Sequence, residues 1–360
     1  MLCVTLFSPL YASDIKKLPL VYSKKYNISL WGLENLHPFD SKKYEKIARY
    51  LSSYFHTPER ELFYEPAHMV NDSELLKFHT PHYLESLNNP SVVARITDIT
   101  FLEWLPSFII QSVILNSMRY ATAGTRLAAE LAWQNKQYAI NIGGGFHHAN
   151  ANDADGFCVF GDIQLAMLDI WNNKPDAKIM YIDLDAHQGN GVELGLESYI
   201  KETDPSKARL VVFDVYGENN YPGDNAARTF IQYNRPVMVG NNLAVSDNVY
   251  FQKIADLATI ISQEKPDFIF YNAGTDVYEK DPLGRMKLTK EGIIHRDEMV
   301  FAAAKENNIP IVMTLSGGYA KESAQIIGES IANLLAKVWH IIPAPQQPSH
   351  GWFTSWFKKQ

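Results

Sequence analysis

Cysteine, basic charge and long apolar runs are all scarce in this sequence of 360 residues, and each scarcity excludes a class of protein. The two cysteines, Cys3 and Cys158, form no CxxC pair, so a thiolate zinc site is excluded and a disulfide framework is not expected. Lys and Arg number 33 against 40 Asp and Glu, a net charge of −7, which argues against sequence-specific nucleic-acid binding. No apolar run is long enough to cross a bilayer. The balance fits an enzyme that acts on small molecules or on cationic protein segments.

The two ends differ in composition from the rest of the chain. Met1–Ala12 is apolar and ends like a cleavage site, but it lacks a basic region, so we expect a cytoplasmic protein and keep secretion or a periplasmic location as the alternative. The other end is Pro-rich and then aromatic and basic, as in Trp352–Gln360. We therefore predict an N-terminal segment (1–20), one large domain (21–341) and a tail (342–360). The tail is expected to dock on the domain or to be mobile, with contact to a membrane or a partner as the alternative.

Short apolar runs alternate with longer segments of helical spacing. Six runs of strand length are continuously apolar, as strands buried on both faces of a parallel sheet are: Tyr138–Ile142, Lys178–Ile182, Arg209–Val215, Pro236–Val239, Asp267–Tyr271 and Pro310–Leu315. Helical spacing is found in Met118–Gln134, Gly161–Asn172, Val249–Gln263 and Lys290–Asn307, and the first third of the chain is predicted to be mainly helical. The pattern predicts a single α/β domain whose central, mostly parallel sheet is flanked by helices on both faces.

Four of the predicted strands end in residues that can carry out chemistry. In open α/β sheets, functional sites form at the carboxyl ends of the strands. The four segments that follow such ends are Gly143–His148, Asp183–Gly191, Asn272–Asp276 and Ser316–Tyr319. Their shared position predicts an active site at this edge of the sheet.

The stretch DLDAHQGNG, which begins at Asp183, has the spacing of a metal site. Residues two apart in an extended chain point the same way, so Asp183, Asp185 and His187 can converge. Carboxylates and an imidazole suit a divalent metal, and such a set admits both zinc and iron. Asp276 supplies a further ligand and leaves positions open, as in catalytic sites. Taken alone, the stretch could equally be a solvated strand end, and Asp276 a helix cap.

Three residues after glycines could complete a hydrolytic site. His147 and His148 follow three glycines, and a metal-activated water that attacks a carbonyl needs a neutral imidazole to accept its proton. Tyr319 follows two glycines that allow close backbone approach, and it could donate a hydrogen bond to an oxyanion. By themselves, the histidines are also compatible with metal ligation or a surface loop, and Tyr319 with an ordinary core position.

These residues lie in motifs that resemble those of the histone deacetylase superfamily, which has the arginase/deacetylase fold. In chain order the motifs are VYS (21–23), LHPFD (36–40), GGGFHHA, DGFCVFGDI, DLDAHQGNG, YPGD, YNAGTD and LSGGY. They cover nearly the whole chain apart from the first twenty residues and the tail. The sequence is most similar to class IV histone deacetylases, which share Gln188 and Asn190 where many family members have His and Asp.

The resemblance implies a role for each motif residue. The catalytic Zn²⁺, or Fe²⁺ as the alternative, would be bound by Asp185, His187 and Asp276. The catalytic group would comprise His147, His148, Asp183, Asn190 and Tyr319. Within that group His148 would be the general base, and Tyr319 would polarise the scissile carbonyl. The acyl-lysine tunnel would be lined by Gly156, Phe157, Tyr221 and Leu283, with His37 near its mouth. A structural K⁺ is implied close to Asp183, Asp185 and His187.

The implied function is a metal-dependent deacylase of lysine side chains in proteins, acting on acetyl groups, long-chain fatty acyl groups or both. Asn190 carries no charge, so we expect a weaker base at His148 than an Asp partner would give. The first alternative is a deacetylase of acetylpolyamines or other small amides. The second is a binding protein that recognises acyl-lysine without turnover.

Overall fold

The computed structural model of the chain describes residues 10–11, 17–29, 40, 42–200, 208–240 and 245–343. His37 of the predicted tunnel mouth lies outside these residues, as do most of the N-terminal segment and all of the tail beyond residue 343. The strands in the described residues are β1 (Leu10–Tyr11), β2 (Leu20–Val21), β3 (Tyr138–Asn141), β4 (Ile179–Asp183), β5 (Leu210–Asp214), β6 (Tyr233–Asn234), β7 (Phe268–Asn272), β8 (Ile311–Thr314) and β9 (Ile341–Ile342).

Seven of these strands form one parallel sheet in the order β2-β3-β8-β7-β4-β5-β6. The remaining two, β1 and β9, form a separate parallel pair. Five of the six predicted strands are confirmed, each with ends within one residue of the prediction. The predicted α/β class with a parallel sheet is therefore confirmed.

The predicted strand Pro236–Val239 is wrong. The neighbouring segment after β5 turns at Gly217, whose carbonyl oxygen accepts from the N–H of Asn220 at 2.9 Å, so no extended partner continues beside this run. Val237 forms an isolated bridge with Gly217, and β6 (Tyr233–Asn234) is the edge strand of the sheet.

Helices cover both faces of the sheet. They are α1 (Lys43–Tyr54), α2 (Glu59–Leu62), α3 (Asp72–Leu75), α4 (Pro81–Ser86), α5 (Pro90–Thr97), α6 (Ser107–Ile109), α7 (Asn116–Asn135), α8 (Asp162–Asn173), α9 (Asn190–Gly195), α10 (Glu197–Ile200), α11 (Asp247–Ile254), α12 (Leu257–Glu264), α13 (Lys290–Glu306) and α14 (Ser323–Asn333). Short 3₁₀ turns occupy Lys24–Tyr26, Thr100–Trp104 and Ala227–Phe230, and π-helical turns Ile110–Leu115 and Leu334–Val338. None of the helices in the described ranges is long and apolar enough to span a bilayer.

Three of the four predicted long helices are confirmed as α7, α8 and α13, and the first third of the chain is mainly helical as expected. The fourth, Val249–Gln263, is two helices, α11 and α12. Asp256 leaves the helical region (φ −97°, ψ 1°), and its carboxylate accepts a hydrogen bond from Arg235 at 2.8 Å. The apolar spacing continues through this break, which is why the sequence pattern does not show it.

Alternate side chains of each strand pack in two apolar cores, one on each face of the sheet. In β4, Met180 and Ile182 pack with α1 and with α11 to α14, whereas Ile179 and Tyr181 pack with α7 and α8. Successive side chains of a strand point to opposite faces, so a run buried on both sides must be apolar throughout. This double burial fixes the strand ends, and therefore the loops that follow them.

Candidate active site

The loops after β3, β4, β7 and β8 meet at the carboxyl edge of the sheet. They bring together eight residues singled out in the sequence, which are His147, His148, Asp183, Asp185, His187, Asn190, Asp276 and Tyr319. Neighbouring parallel strands end side by side, so segments distant in sequence become neighbours here. Asp183 of β4, for example, pairs in register with Asn272 of β7, which is 89 positions further along the chain.

Asp185, His187 and Asp276 form a compact set of metal-ligand atoms. One ligand atom from each lies within 4.8 Å of the other two, and all three residues are buried. His187 Nδ1 is 3.1 Å from Asp185 Oδ1 and 2.8 Å from Asp276 Oδ2. The backbone N–H of Gly317 donates to Asp185 Oδ2 at 2.9 Å and fixes that carboxylate. The donor types fit Zn²⁺ or Fe²⁺.

The charges of this set also favour a cation. Burial and the neighbouring Asp185 raise the pKa of Asp276 to about 7. Burial alone would lower the pKa of His187, but its hydrogen bonds to the two carboxylates raise it well above the usual value. Two buried carboxylates repel each other when both are ionised, and a divalent cation between them would relieve that repulsion.

His147 forms a buried ion pair with Asp183. Its Nδ1 donates to Asp183 Oδ2 at 2.8 Å, and Tyr181 and Asn272 also donate to the same carboxylate, at 2.5 and 3.1 Å. Burial opposes the charged imidazole, yet the carboxylates of Asp183 and Asp185 raise the pKa of His147 to about 9. These carboxylates favour the charged form of His147, and Asp183 is held in place by several donors.

His148 has the opposite electrostatic environment. Its Nδ1 lies 2.8 Å from Asn190 Oδ1, and its ring centroid is 4.0 Å from that of His147. Burial and the neighbouring His147 lower the pKa of His148 well below its usual value. A carbonyl oxygen can only accept, so Nδ1 carries the proton and Nε2 keeps its lone pair. His148 is thus a neutral imidazole with a free acceptor nitrogen.

The glycine turn before the histidines is held by a residue that the sequence reasoning did not single out. Asp162, the first residue of α8, accepts from the backbone N–H groups of Gly145 and Phe146, both at 2.8 Å. Gly145 has φ +87°, and a Cβ there would lie 2.7 Å from the backbone nitrogen of Ser316. A side chain at this position is therefore excluded both by conformation and by space. The motif DGFCVFGDI contains Asp162 but does not reveal its partners.

Tyr319 is fixed through its backbone. Its N–H donates to Asp281 Oδ2 at 2.7 Å, and its ring lies 5.7 Å from that of Phe157. Burial and the charge of Asp276 raise the pKa of Tyr319 well above its usual value. The phenol therefore stays protonated, as a hydrogen-bond donor to an oxyanion must.

Lys43 of α1 is a second residue that sequence reasoning missed. It is buried, and its Nζ donates to the carbonyl oxygens of Ser316 at 3.0 Å and Gly317 at 3.4 Å, just before Tyr319. Burial lowers the pKa of Lys43 to about 8, against the opposing effect of Asp276. No local pattern could identify this lysine, because its contacts are about 270 residues away in sequence.

Three of the predicted tunnel residues lie at His148 or Tyr319. A Cβ on Gly156 would be 2.4 Å from the His148 ring, so the backbone packs directly on this imidazole. Phe157 contacts Tyr319, and the ring of Tyr221 stands edge-on 5.0 Å from His148. Tyr221 is 44% exposed, which places it between the base and solvent.

Leu283, the fourth predicted tunnel residue, lies on the loop that holds Tyr319. It is half-buried, and its N–H donates to Asp281 Oδ1 at 2.9 Å. The structure therefore links Leu283 to the site through Asp281, while its place on a tunnel wall stays a prediction.

An apolar cavity of about 70 Å³ lies beside Tyr319. Its lining includes Tyr26, Tyr44, Ile114, Met118, Ala121, Phe146, Gly156, Phe157 and Tyr319. Residues that contact His148 thus also border an apolar chamber that extends to α7.

The predicted K⁺ stays a prediction, but the donor type near Asp183 fits it. Asp214 pairs in register with Asp183, and the carboxyl groups of Asp214 and Glu193 are both buried. Burial raises the pKa of Glu193 to about 7. Hard cations prefer such oxygen ligands.

Comparison with known proteins agrees with this geometry. Residues 37–335 match the model of the histone deacetylase domain. The chain is 40% identical over 321 residues to "Histone deacetylase 2" of Arabidopsis thaliana, covering 89% of this chain and 79% of that protein. The chain belongs to the histone deacetylase family.

Two further similarities are more distant. The chain is 29% identical over 273 residues to "Histone deacetylase 1" of Homo sapiens, covering 71% of this chain and 52% of that protein. The crystal structure of the HDA15 HD domain matches with a TM-score of 0.67 over 93% of this chain and 92% of the other, at 21% identity, which is a likeness of fold. The predicted superfamily is confirmed, and the coarse function is that of a deacetylase-type hydrolase. Class IV membership, the metal and the acyl group stay predictions.

Proposed function

We propose that this histone deacetylase family member is a metal-dependent deacylase of lysine side chains in proteins, of the class IV type. One observation carries the proposal: a neutral imidazole, His148, stands beside the buried ligand set of Asp185, His187 and Asp276. A protonated phenol, Tyr319, lies near the same carboxylates. These are the groups that hydrolysis of an amide requires.

Each group has a defined part in the proposed reaction. A divalent cation held by the three ligands would supply a Lewis acid that activates a water molecule and polarises the amide carbonyl. His148 Nε2 accepts the proton of the attacking water, while Asn190 Oδ1 accepts from its Nδ1–H and orients the ring. Asp183 offsets the charge of the neighbouring His147. Tyr319 donates a hydrogen bond to the oxygen of the tetrahedral intermediate. The C–N bond then breaks, the lysine nitrogen takes the proton from His148, and the products are a carboxylic acid and free lysine.

The experiment that tests this function compares substrates of different classes. Purified protein is incubated with acetyl-lysine and myristoyl-lysine peptides and, in parallel, with acetylated polyamines, and the released carboxylic acid is measured. We expect faster release from the peptides. Faster release from the polyamines would support the small-amide alternative, and peptide binding without release would support the binding-protein alternative.

We further propose that long-chain acyl groups are substrates, and the apolar cavity beside Tyr319 supports this. Burying hydrocarbon stabilises a bound chain by about 0.8 kcal/mol per methylene group, and the cavity lining is mostly apolar. An acetyl group is too short to use this surface, whereas a myristoyl group is longer than a cavity of about 70 Å³ can hold and would require the lining to move.

Ala121→Leu should therefore shift selectivity from myristoyl to acetyl substrates. Ala121 is buried on α7 and lines the cavity, so a larger side chain removes space for the acyl chain. We expect kcat/KM for myristoyl-lysine to fall at least about tenfold relative to acetyl-lysine. Ala123→Leu, on the other side of the same helix, is the matched control. Equal effects of both variants on the ratio would contradict the assignment.

Asn190→Asp should move the acid limb of the rate profile to higher pH. The base must be neutral, so activity is lost as the pH falls through the pKa of His148, which here lies well below 6.5. A carboxylate at position 190 would favour the imidazolium and raise that pKa by about one to three units. The measurement is kcat/KM against pH, with the exposed Asn172→Asp as control. An unchanged acid limb in Asn190→Asp would show that His148 is not the titrating base.

A further inference from the structure

One buried amide side chain connects the segments that carry the metal-ligand set. Asn220 lies in the loop after β5 and is 6% exposed. Its Nδ2 donates to the carbonyl oxygens of Ala186, at 3.1 Å, and Gly284, at 2.7 Å. Both of its donor hydrogens are therefore used, each on a different loop of the active site.

The first partner, Ala186, stands between two of the ligands. Its neighbours are Asp185 and His187, and its own N–H donates to Oδ1 of the third ligand, Asp276, at 2.9 Å. The backbone at Ala186 is thus held from one side by a ligand carboxylate and from the other by Asn220. A rotation of this backbone would move the ligands on both sides of it.

The second partner, Gly284, lies against the remaining ligand segment. A Cβ on Gly284 would be 1.8 Å from the carbonyl oxygen of Asp276, so the two backbones are in direct contact. The N–H of Gly284 donates to Asp281 Oδ1 at 3.0 Å, and Asp281 Oδ2 accepts from the N–H of Tyr319. Through Gly284, Asn220 therefore reaches both Asp276 and the loop of Tyr319.

The loop of Asn220 is anchored on each side of His187. The N–H of Gly217 donates to the carbonyl oxygen of Ala186 at 3.0 Å, and Gln188 Nε2 donates to the carbonyl oxygen of Asp224 at 3.1 Å. Between these anchors Tyr221 packs on His148. The loop of Asn220 is thus attached to the segment that carries Asp185 and His187 at two further points.

We propose that Asn220 is a positioning residue that holds the two ligand-bearing loops together and so sets the affinity for the metal. This inference rests on the proposed function in taking Asp185, His187 and Asp276 as the ligands. Asn220 bonds only to backbone oxygens of the neighbouring loops, so its effect passes through Ala186 and Gly284. Partners that orient metal ligands typically change metal affinity by about 10–100-fold when they are replaced.

The test measures metal binding in the absence of substrate. Asn220→Ala and Asn220→Leu both remove the two donors, and leucine keeps the branching and the number of side-chain heavy atoms of asparagine. The dissociation constant for Zn²⁺ is measured by competition with a chromophoric chelator, and the absorption spectrum of the Co²⁺-loaded protein reports the ligand geometry. Asn219→Ala is the matched control, because Asn219 is the adjacent, exposed asparagine. Thermal unfolding is measured for all variants.

We expect both Asn220 variants to bind Zn²⁺ about 10–100-fold more weakly than the wild type and to show an altered Co²⁺ spectrum. Asn219→Ala should match the wild type. A lowered unfolding temperature with unchanged Zn²⁺ affinity in both variants would overturn the proposal and leave Asn220 a purely structural residue. A large loss in Asn220→Ala alone would also overturn it, because packing volume and not the donors would then be responsible. The Zn²⁺ affinities are measured without substrate, so they do not depend on the proposed reaction. If the wild type binds Zn²⁺ but releases no acid in the separate peptide assay, the proposed function is contradicted and the result for Asn220 still stands.

Discussion

Replacing His148 with alanine should lower kcat for deacylation by about two to four powers of ten, the usual contribution of a general base. His148 is the neutral member of the histidine pair, and its Nε2 is the acceptor that the Asn190 contact leaves free. His147 is less suited to the role, because its Nδ1 is bonded to Asp183 and the carboxylates of Asp183 and Asp185 raise its pKa. The measurement is kcat on an acyl-lysine peptide at saturating substrate, with metal content determined for the same preparation.

The exposed His82→Ala is the control for loss of a histidine as such. We expect its kcat to equal that of the wild type. Turnover of His148→Ala within a few-fold of the wild type, at equal metal content, would show that another group accepts the proton.

Replacing Tyr319 with phenylalanine should lower kcat by about 10²–10³-fold while the ring packing on Phe157 is kept. The substitution removes only the hydroxyl group, and the backbone bond to Asp281 stays. The loss should appear in kcat and kcat/KM together, because a donor to the oxyanion acts in the transition state and contributes little to ground-state binding. Steady-state kinetics on the same peptide give both quantities.

Tyr233→Phe is the matched control. Tyr233 lies in the edge strand β6, and the substitution removes a hydroxyl group that donates to Glu264. It should leave both constants unchanged. A rise in KM alone for Tyr319→Phe would assign the tyrosine to substrate binding and contradict the proposed role.

Much of the fold could be predicted from the sequence because strands buried on both faces must be apolar throughout. That constraint located five strands to within one residue, and the strand ends then identified Asp185, His187 and Asp276 as neighbours. The two-residue strands β1, β2, β6 and β9 were missed because two residues are too short to show a pattern. Pro236–Val239 was predicted wrongly because an apolar run does not show that the neighbouring segment turns away after Gly217.

The supporting residues of the site were not predictable in the same way. Lys43 and Asn220 act through backbone groups of other segments and lie in no motif that shows those contacts. Asp162 lies in the motif DGFCVFGDI, but the motif does not reveal its partners. His147 and His148 are adjacent in sequence, yet their pKa values move in opposite directions because their partners, Asp183 and Asn190, differ in charge. The motif GGGFHHA shows two histidines, but it does not show which of them favours the charged form. That distinction depends on their neighbours in the folded structure.

The most direct test of the account is a metal titration of deacylation. Protein stripped with a chelator is titrated with Zn²⁺ or Fe²⁺, and acid release from an acyl-lysine peptide is followed together with bound metal, in the wild type and in Asp276→Ala. We predict that wild-type activity is absent without metal and rises in proportion to occupancy up to one ion per chain, and that Asp276→Ala neither binds tightly nor regains activity. Full activity in the stripped protein, or recovery in Asp276→Ala equal to that of the wild type, would contradict the account.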